Sequence, residues 1–252
     1  MKSMKVRYVL TCALAVVALS ACNKNKNEGG TAVSNQNVTI TQATPPPGGD
    51  WTDVVNATSA GFMMGNPNAK VKLIEIGALT CPHCREFEEK GVPILMDKYV
   101  KSGKVSWEFR TYLLHGPDIS AALIARCNGA KSFFPLARAF YDDQPTWMGK
   151  IVAAPQAQLE QVQNLPENQQ FLALARIAGL PEWAAARGVP QAKATQCLTD
   201  TRKIDQLVQL SSDVTTQYPD FQGTPSFVLN GTLLSDTFTW EKLQPQLDAA
   251  VK

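Results

Sequence analysis

Apolar and polar positions along the chain switch between two periods. Val71 to Leu79 (VKLIEIGAL) is apolar and rich in β-branched residues, which predicts a buried strand. Cys81 to Tyr99 follows with the spacing of a helix that buries Phe87, Val92, Ile94, Leu95 and Tyr99. Pro93 lies inside it and predicts a kink or break nearby. Val105 to Leu114 (VSWEFRTYLL) reads as a second strand. Strand, helix and strand in that order imply a parallel pair joined by a crossover. From Asp118 to about Tyr218 the strand signal fades. Ile119–Cys127, Phe133–Tyr141, Gln169–Ile177 and Ile204–Thr216 predict helices separated by Pro and Gly. Strand character returns at Pro225–Leu229, with Asn230-Gly231 as a tight turn and Thr232–Leu234 as the return strand. Trp240–Val251 closes as a helix with Leu243, Leu247 and Val251 at helical spacing. The result is an α/β layout: a βαβ half and a ββα half with an all-helical insertion between them. No internal repeat is visible.

The first 50 residues are of another kind. Met1 to Arg7 is basic, Tyr8 to Ala18 is mostly apolar, and Leu19-Ser20-Ala21-Cys22 follows. That apolar run is too short for an ordinary span of a bilayer core roughly 30 Å thick, and the pattern fits an export signal over residues 1–21. The bare pattern also fits a plain secretory signal in which Cys22 is incidental. Leu-Ser-Ala-Cys resembles the lipobox of bacterial lipoproteins, in which cleavage precedes the cysteine and lipids attach to its thiol and amino group. The resemblance implies an extracytoplasmic protein, tethered to a membrane through Cys22 but not spanning it. Asn23 is not the Asp that holds enteric lipoproteins in the inner membrane, which favours the outer membrane. Residues 22–50 lack apolar periodicity, are rich in Asn, Gly, Thr and Gln, and end in Pro45-Pro46-Pro47-Gly48-Gly49-Asp50. They predict a flexible tether with a span of roughly 30 Å.

Charge adds an exclusion. The formal net charge is +2, and Lys2, Lys5 and Arg7 supply three positive charges, so the rest of the chain carries −1. A near-neutral domain gives no electrostatic reason to expect nucleic acid.

The cysteines carry the chemistry. There are six: Cys12, Cys22, Cys81, Cys84, Cys127 and Cys197. Cys12 would leave with the signal and Cys22 would take lipid, which leaves four in a compartment that permits disulfides. Cys81-Pro82-His83-Cys84 stands where a buried strand meets a helix. There the unpaired N–H groups and the helix dipole favour a thiolate, and His83 could add a positive charge beside it. A readily ionised Cys81 is a good leaving group and stabilises the reduced pair, which makes the disulfide oxidising. Cys81 is expected to be the exposed, attacking or attacked sulfur, with Cys84 as its buried partner one turn on. A CxxC also has two other uses. A zinc site needs two more ligands, and only His83, His115 and the distant Cys127 and Cys197 are on offer. An inert disulfide in so short a loop would be strained.

CPHC followed by Arg85-Glu86-Phe87-Glu88-Glu89 resembles the DsbA family of periplasmic disulfide oxidoreductases. The likeness runs from about Trp51 to the end. It implies a thioredoxin-like domain over residues 51–117 and 219–252, with a helical domain inserted at 118–218. It also implies roles by position. Glu75, six residues before the first cysteine, and Glu88, seven after it, match acids that tune proton movement near the dithiol, and Pro82 and His83 are expected to tune the active site from within the motif. Gly223-Thr224-Pro225 matches the loop whose cis-proline faces the CxxC and whose preceding residue pairs with substrate backbone. Thr224 departs from the Val of the best-known oxidases and matches several reducing or isomerising relatives. Some members carry a second disulfide in the helical domain, which implies a structural Cys127–Cys197 bond. Neither cysteine lies in a CxxC, which argues against a second catalytic pair.

The expected function is therefore a periplasmic, membrane-anchored enzyme that exchanges disulfides with exported protein or peptide thiols and is recycled by a membrane redox partner. Its expected cofactor is none beyond the Cys81–Cys84 disulfide, with no metal. CPHC leans toward a disulfide-donating oxidase and Thr224 toward a reductase or isomerase. A redox-inert binding or holdase lipoprotein is the alternative of a different class. His115, Trp147 and Trp183 read as structural residues.

Overall fold

Val71–Gly77 (β3) is the strand on which the molecule is built: it is paired along both edges and buried at every position but Lys72 and Ile74. In the computed structural model, which describes residues 45–252, six strands lie in the order β1-β2-β4-β3-β5-β6. The others are β1 (Val55–Ala57), β2 (Phe62–Gly65), β4 (Val105–Thr111), β5 (Ser226–Leu229) and β6 (Thr232–Leu233). β3 pairs in parallel with β4 and antiparallel with β5, so the βαβ unit and the ββα unit share one sheet. The export signal 1–21, Cys12, Cys22 and the tether up to residue 44 lie outside the described residues.

After β3 the chain enters α1 (Pro82–Lys90). Where one broken helix was expected, α1 stops at Lys90, a short turn α2 (Val92–Ile94) follows, and Leu95–Val100 is π-helical. The interruption falls just ahead of Pro93, which has no N–H to give to the preceding turn. Between β4 and β5 lie only helices: α3 (Gly116–Ala125), α4 (Ala130–Asp142), α5 (Gln144–Val152), α6 (Gln156–Gln163), α7 (Glu167–Ala178), α8 (Leu180–Ala185), α9 (Gln191–Thr199) and α10 (Thr201–Gln217). The C-terminal helix α11 (Trp240–Ala250) returns to the sheet.

Several of these were invisible in the pattern. β1 and β2 are short, and FMMG does not alternate. α6 buries only Val162, and α9 buries Ala194, Cys197 and Leu198, too small or too sparse a stripe to stand out. Sheet and insertion share one core. Phe62 of β2 stacks on Phe133 of α4 with centroids 4.2 Å apart. Phe87 of α1 packs on Phe227 of β5 at 4.7 Å and against Trp240 of α11 at 6.3 Å. Trp147 is fully buried, whereas Trp183 is half-buried and gives its Nε1–H to Asp143. Cys127 and Cys197 form a disulfide between the end of α3 and α9. No helix among the described residues is long and apolar enough to cross a membrane.

Candidate active site

Cys81 is the N-cap of α1, in an extended conformation (φ −76°, ψ 121°), with Pro82 at the first helical position. Proline is preset for that position and has no N–H to leave unpaired. The backbone N–H of Cys84 therefore points back at the Cys81 sulfur, 3.3 Å away. On its other side the Cys81 thiol donates to the Thr224 carbonyl at 3.2 Å. The Thr224–Pro225 peptide bond is cis, and it brings the loop before β5 against the start of α1.

The two thiols are free and differ in environment. Cys84 has no exposed surface, while Cys81 keeps 3%. The expectation of an exposed Cys81 is thus corrected: the residue is buried, with its sulfur against the Thr224 carbonyl of the Thr224–Pro225 loop. The Cys81 thiol is lowered to about 6, first by a hydrogen bond from the Cys84 thiol, against the opposing effect of burial. The Thr224 side chain and the backbone N–H groups of Cys84 and His83 add to it. The Thr224 hydroxyl is buried and makes no hydrogen bond of ordinary geometry among the described residues. Burial pushes the Cys84 thiol well up, and the neighbouring Cys81 and Glu75 push it further. One sulfur of the pair therefore ionises near neutral pH while the other keeps its proton.

His83 does not contribute as expected. Its imidazole stands out in solvent, 3.8 Å from Glu86, and only its backbone acts on Cys81. The physical reason is helical geometry: the second helical position points outward while its N–H points back at the cap.

Glu75 sits in the middle of β3 at 1% exposure, with Oε2 accepting from Trp107 Nε1 at 3.1 Å. Burial above all, then the charge of Glu88, holds its carboxyl well above the ordinary range. Glu88, on the buried face of α1, accepts from Arg138 Nε of α4 at 2.7 Å. Its carboxyl is also raised, because burial outweighs that ion pair. Both acids thus hold protons more readily than free carboxylates, and Glu75 is the one close enough to act on both cysteines.

Three supports come from the helical insertion. Asp118 is fully buried and accepts from the Thr80 backbone and hydroxyl, both at 2.8 Å, and from the backbone N–H groups of Leu114 and His115 at 3.0 Å. It pins the residue before Cys81 to the segment between β4 and α3. Gln144 Nε2 donates to the carbonyls of Leu79 at 2.8 Å and Cys81 at 3.0 Å, and Tyr141 donates to Ala78 at 3.2 Å. None of the three was singled out in the sequence. Asp118 left a faint signal as an acid in the first turn after Gly-Pro, and Gln144 left none. Among the described residues no group of three or more His, Cys, Asp or Glu side chains converges as a metal site.

This fold and dithiol define a class: a thioredoxin-like sheet with a helical insertion and a CxxC capping its first helix. The thioredoxin family model matches residues 57–249, and the chain belongs to that family. A solved protein-disulfide isomerase from Novosphingobium aromaticivorans is 32% identical, with 75% of this chain and 96% of that one covered and a TM-score of 0.72. Alpha-DsbA1 of Wolbachia pipientis, at 20% identity, shares the fold with a TM-score of 0.60 over 75% of this chain and 89% of its own. A Rickettsia bellii protein assigned as a protein-disulfide oxidoreductase is 26% identical over 76% of this chain, and the matched stretch spans 64% of that relative's length. The expected thioredoxin-like fold with its helical insertion is borne out.

Proposed function

We propose that the chain is an extracytoplasmic thiol–disulfide oxidoreductase that exchanges disulfides with exported proteins through Cys81 and Cys84, and that it works as a disulfide donor. One observation carries the reading: the Cys81 thiol at about 6 beside a Cys84 thiol driven upward. A stabilised thiolate favours the reduced pair, so the oxidised pair is a strong oxidant. In the donor direction a substrate thiolate attacks Cys81 Sγ and Cys84 leaves. A second substrate thiol then displaces Cys81, which departs as its stabilised thiolate, and the substrate keeps the new disulfide. Glu75 takes up or returns the Cys84 proton, Glu88 modulates Glu75, and Pro82 sets the cap. The Thr224 carbonyl and the cis Pro225 present an edge that an extended substrate can join. The redox group is the dithiol alone, recycled by a membrane partner. Lipidated Cys22 would hold the protein at a membrane facing the periplasm, with residues 22–50 as the tether.

A second reading has a specific observation behind it. Thr224 precedes the cis-proline, and the Novosphingobium relative is a protein-disulfide isomerase. That reading runs the same exchange from the reduced side. The reduction potential of the Cys81–Cys84 couple separates the two, measured in glutathione buffers on a variant lacking Cys127 and Cys197. A value well above glutathione supports the donor, and a thioredoxin-like value refutes it. Replacing Cys81 and Cys84 by Ser must abolish activity under either reading and would leave a holdase intact. Cys22→Ala followed by membrane fractionation tests the anchor.

A further inference from the structure

Away from the dithiol, a cavity of about 180 Å³ opens beside the Cys127–Cys197 disulfide. Phe62, Leu123 and Leu207 give it apolar walls, and Arg126, Lys203 and Cys127 give it polar ones. Arg126 Nη1 is buried with no hydrogen-bond partner among the described residues, and no acid pairs with its guanidinium there. The Phe62 ring lies 4.8 Å from its Cζ, and the side chain as a whole is half-buried. A buried cationic N–H left unpaired is costly and normally meets an anion. Lys203 adds a second positive charge and is only loosely held by Asp200 at 3.9 Å.

The disulfide is asymmetric at this cavity. Cys127 is half-buried and lines it, whereas Cys197 is 2% exposed and does not. The Lys203 ammonium stands 3.7 Å from the Cys197 sulfur. Cys127 is therefore the half of the disulfide that borders the cavity, and the sulfur that would leave is the one beside a cation. A thiolate leaving group is favoured by whatever lowers its basicity.

We infer that this cavity is a second, independent exchange site, in which a small thiol bearing a carboxylate docks on Arg126 and exchanges with the Cys127–Cys197 disulfide at Cys127. The ligand's thiolate forms a new S–S bond to Cys127 Sγ. The Cys127–Cys197 bond breaks, and its electron pair leaves on Cys197 as a thiolate next to Lys203. The ligand sulfur is oxidised from thiolate to mixed disulfide, Cys197 is reduced, and no further oxidant is needed. The site is smaller than the usual drug-sized pocket of roughly 300–1,000 Å³, which suits a small molecule rather than a polypeptide.

The test uses the full chain carrying Cys81→Ser and Cys84→Ser, so that only this disulfide can react. Mercaptoacetate, an anionic thiol, and cysteamine, a cationic one, are compared at equal thiolate concentration, with peptide mass locating the mixed disulfide. The expected result is an adduct on Cys127 and exchange about tenfold faster with mercaptoacetate, the size of effect that one partly buried charge contact gives. Arg126→Gln should remove that preference and Arg126→Lys restore most of it. Lys203→Gln, at a half-exposed position, should slow both thiols by weakening the leaving group. Equal rates for the two thiols, an adduct on Cys197, or no exchange in the folded protein would each overturn the proposal.

Discussion

The backbone N–H of Cys84 points at the sulfur of Cys81 across 3.3 Å, while the Cys84 thiol itself is the largest influence lowering Cys81. The second cysteine thus sets the acidity of the first as well as completing the disulfide. In reduced protein the ultraviolet thiolate absorbance should rise with a midpoint of about 6 rather than the ordinary 9.0. Cys84→Ser, which keeps a hydroxyl donor, should hold that midpoint low. Cys84→Ala should raise it, and Thr224→Val should raise it through loss of the buried hydroxyl. An unchanged midpoint in Cys84→Ala would show that the backbone alone governs Cys81.

That lowered thiol makes stability depend on pH with a definite sign. Its folded value lies below its unfolded one, so the native state releases its proton first. Stability of the reduced form, relative to the oxidised form, should rise from about pH 6 to about pH 9 and be lost as pH falls through about 6. Paired urea titrations of the reduced and oxidised protein across that window check it.

Glu75 acts in the opposite sense. Its folded value lies well above the ordinary 4.5, so between the unfolded and folded values the native state keeps a proton that the unfolded chain has lost. Stability should fall as pH rises through that window. Glu75→Gln should flatten this slope and leave the protein more stable than wild type near neutral pH. The urea midpoint as a function of pH measures both effects. The same variant should slow exchange, because the amide cannot accept the Cys84 proton.

Gln144→Leu should destabilise the fold by about 2 kcal/mol, because the buried carbonyls of Leu79 and Cys81 lose their donor. The loss should be larger than for a typical surface Gln, and denaturant unfolding at constant m-value would read it.

Replacing Cys127 and Cys197 by Ser removes a crosslink spanning 70 residues. Loss of that loop constraint should cost about 4 kcal/mol, less any native-state relaxation. Thermal unfolding of the double variant against the oxidised parent measures it.

The chemistry was local, and so the sequence determined it. A buried β-branched run ending in Cys81-Pro82-His83-Cys84 places a dithiol at a helix N-terminus, because a strand, a turn and a cap are set by adjacent residues. The parallel β3–β4 pair, the β5–β6 return and the closing helix were legible for the same reason, in their periods of two and 3.6. Tertiary structure alone decided which distant groups surround the sulfurs. Gln144 and Asp118 reach the Cys81 loop from 63 and 38 residues away, and no residue near them in the chain announces that contact. Packing also reversed two sequence expectations. It buried Cys81 against the Thr224–Pro225 loop and turned the His83 ring to solvent, so that burial and hydrogen bonds, rather than a neighbouring charge, tune the thiol. Acidity inside a protein depends on desolvation and on partners brought together by the fold, and a linear pattern records neither.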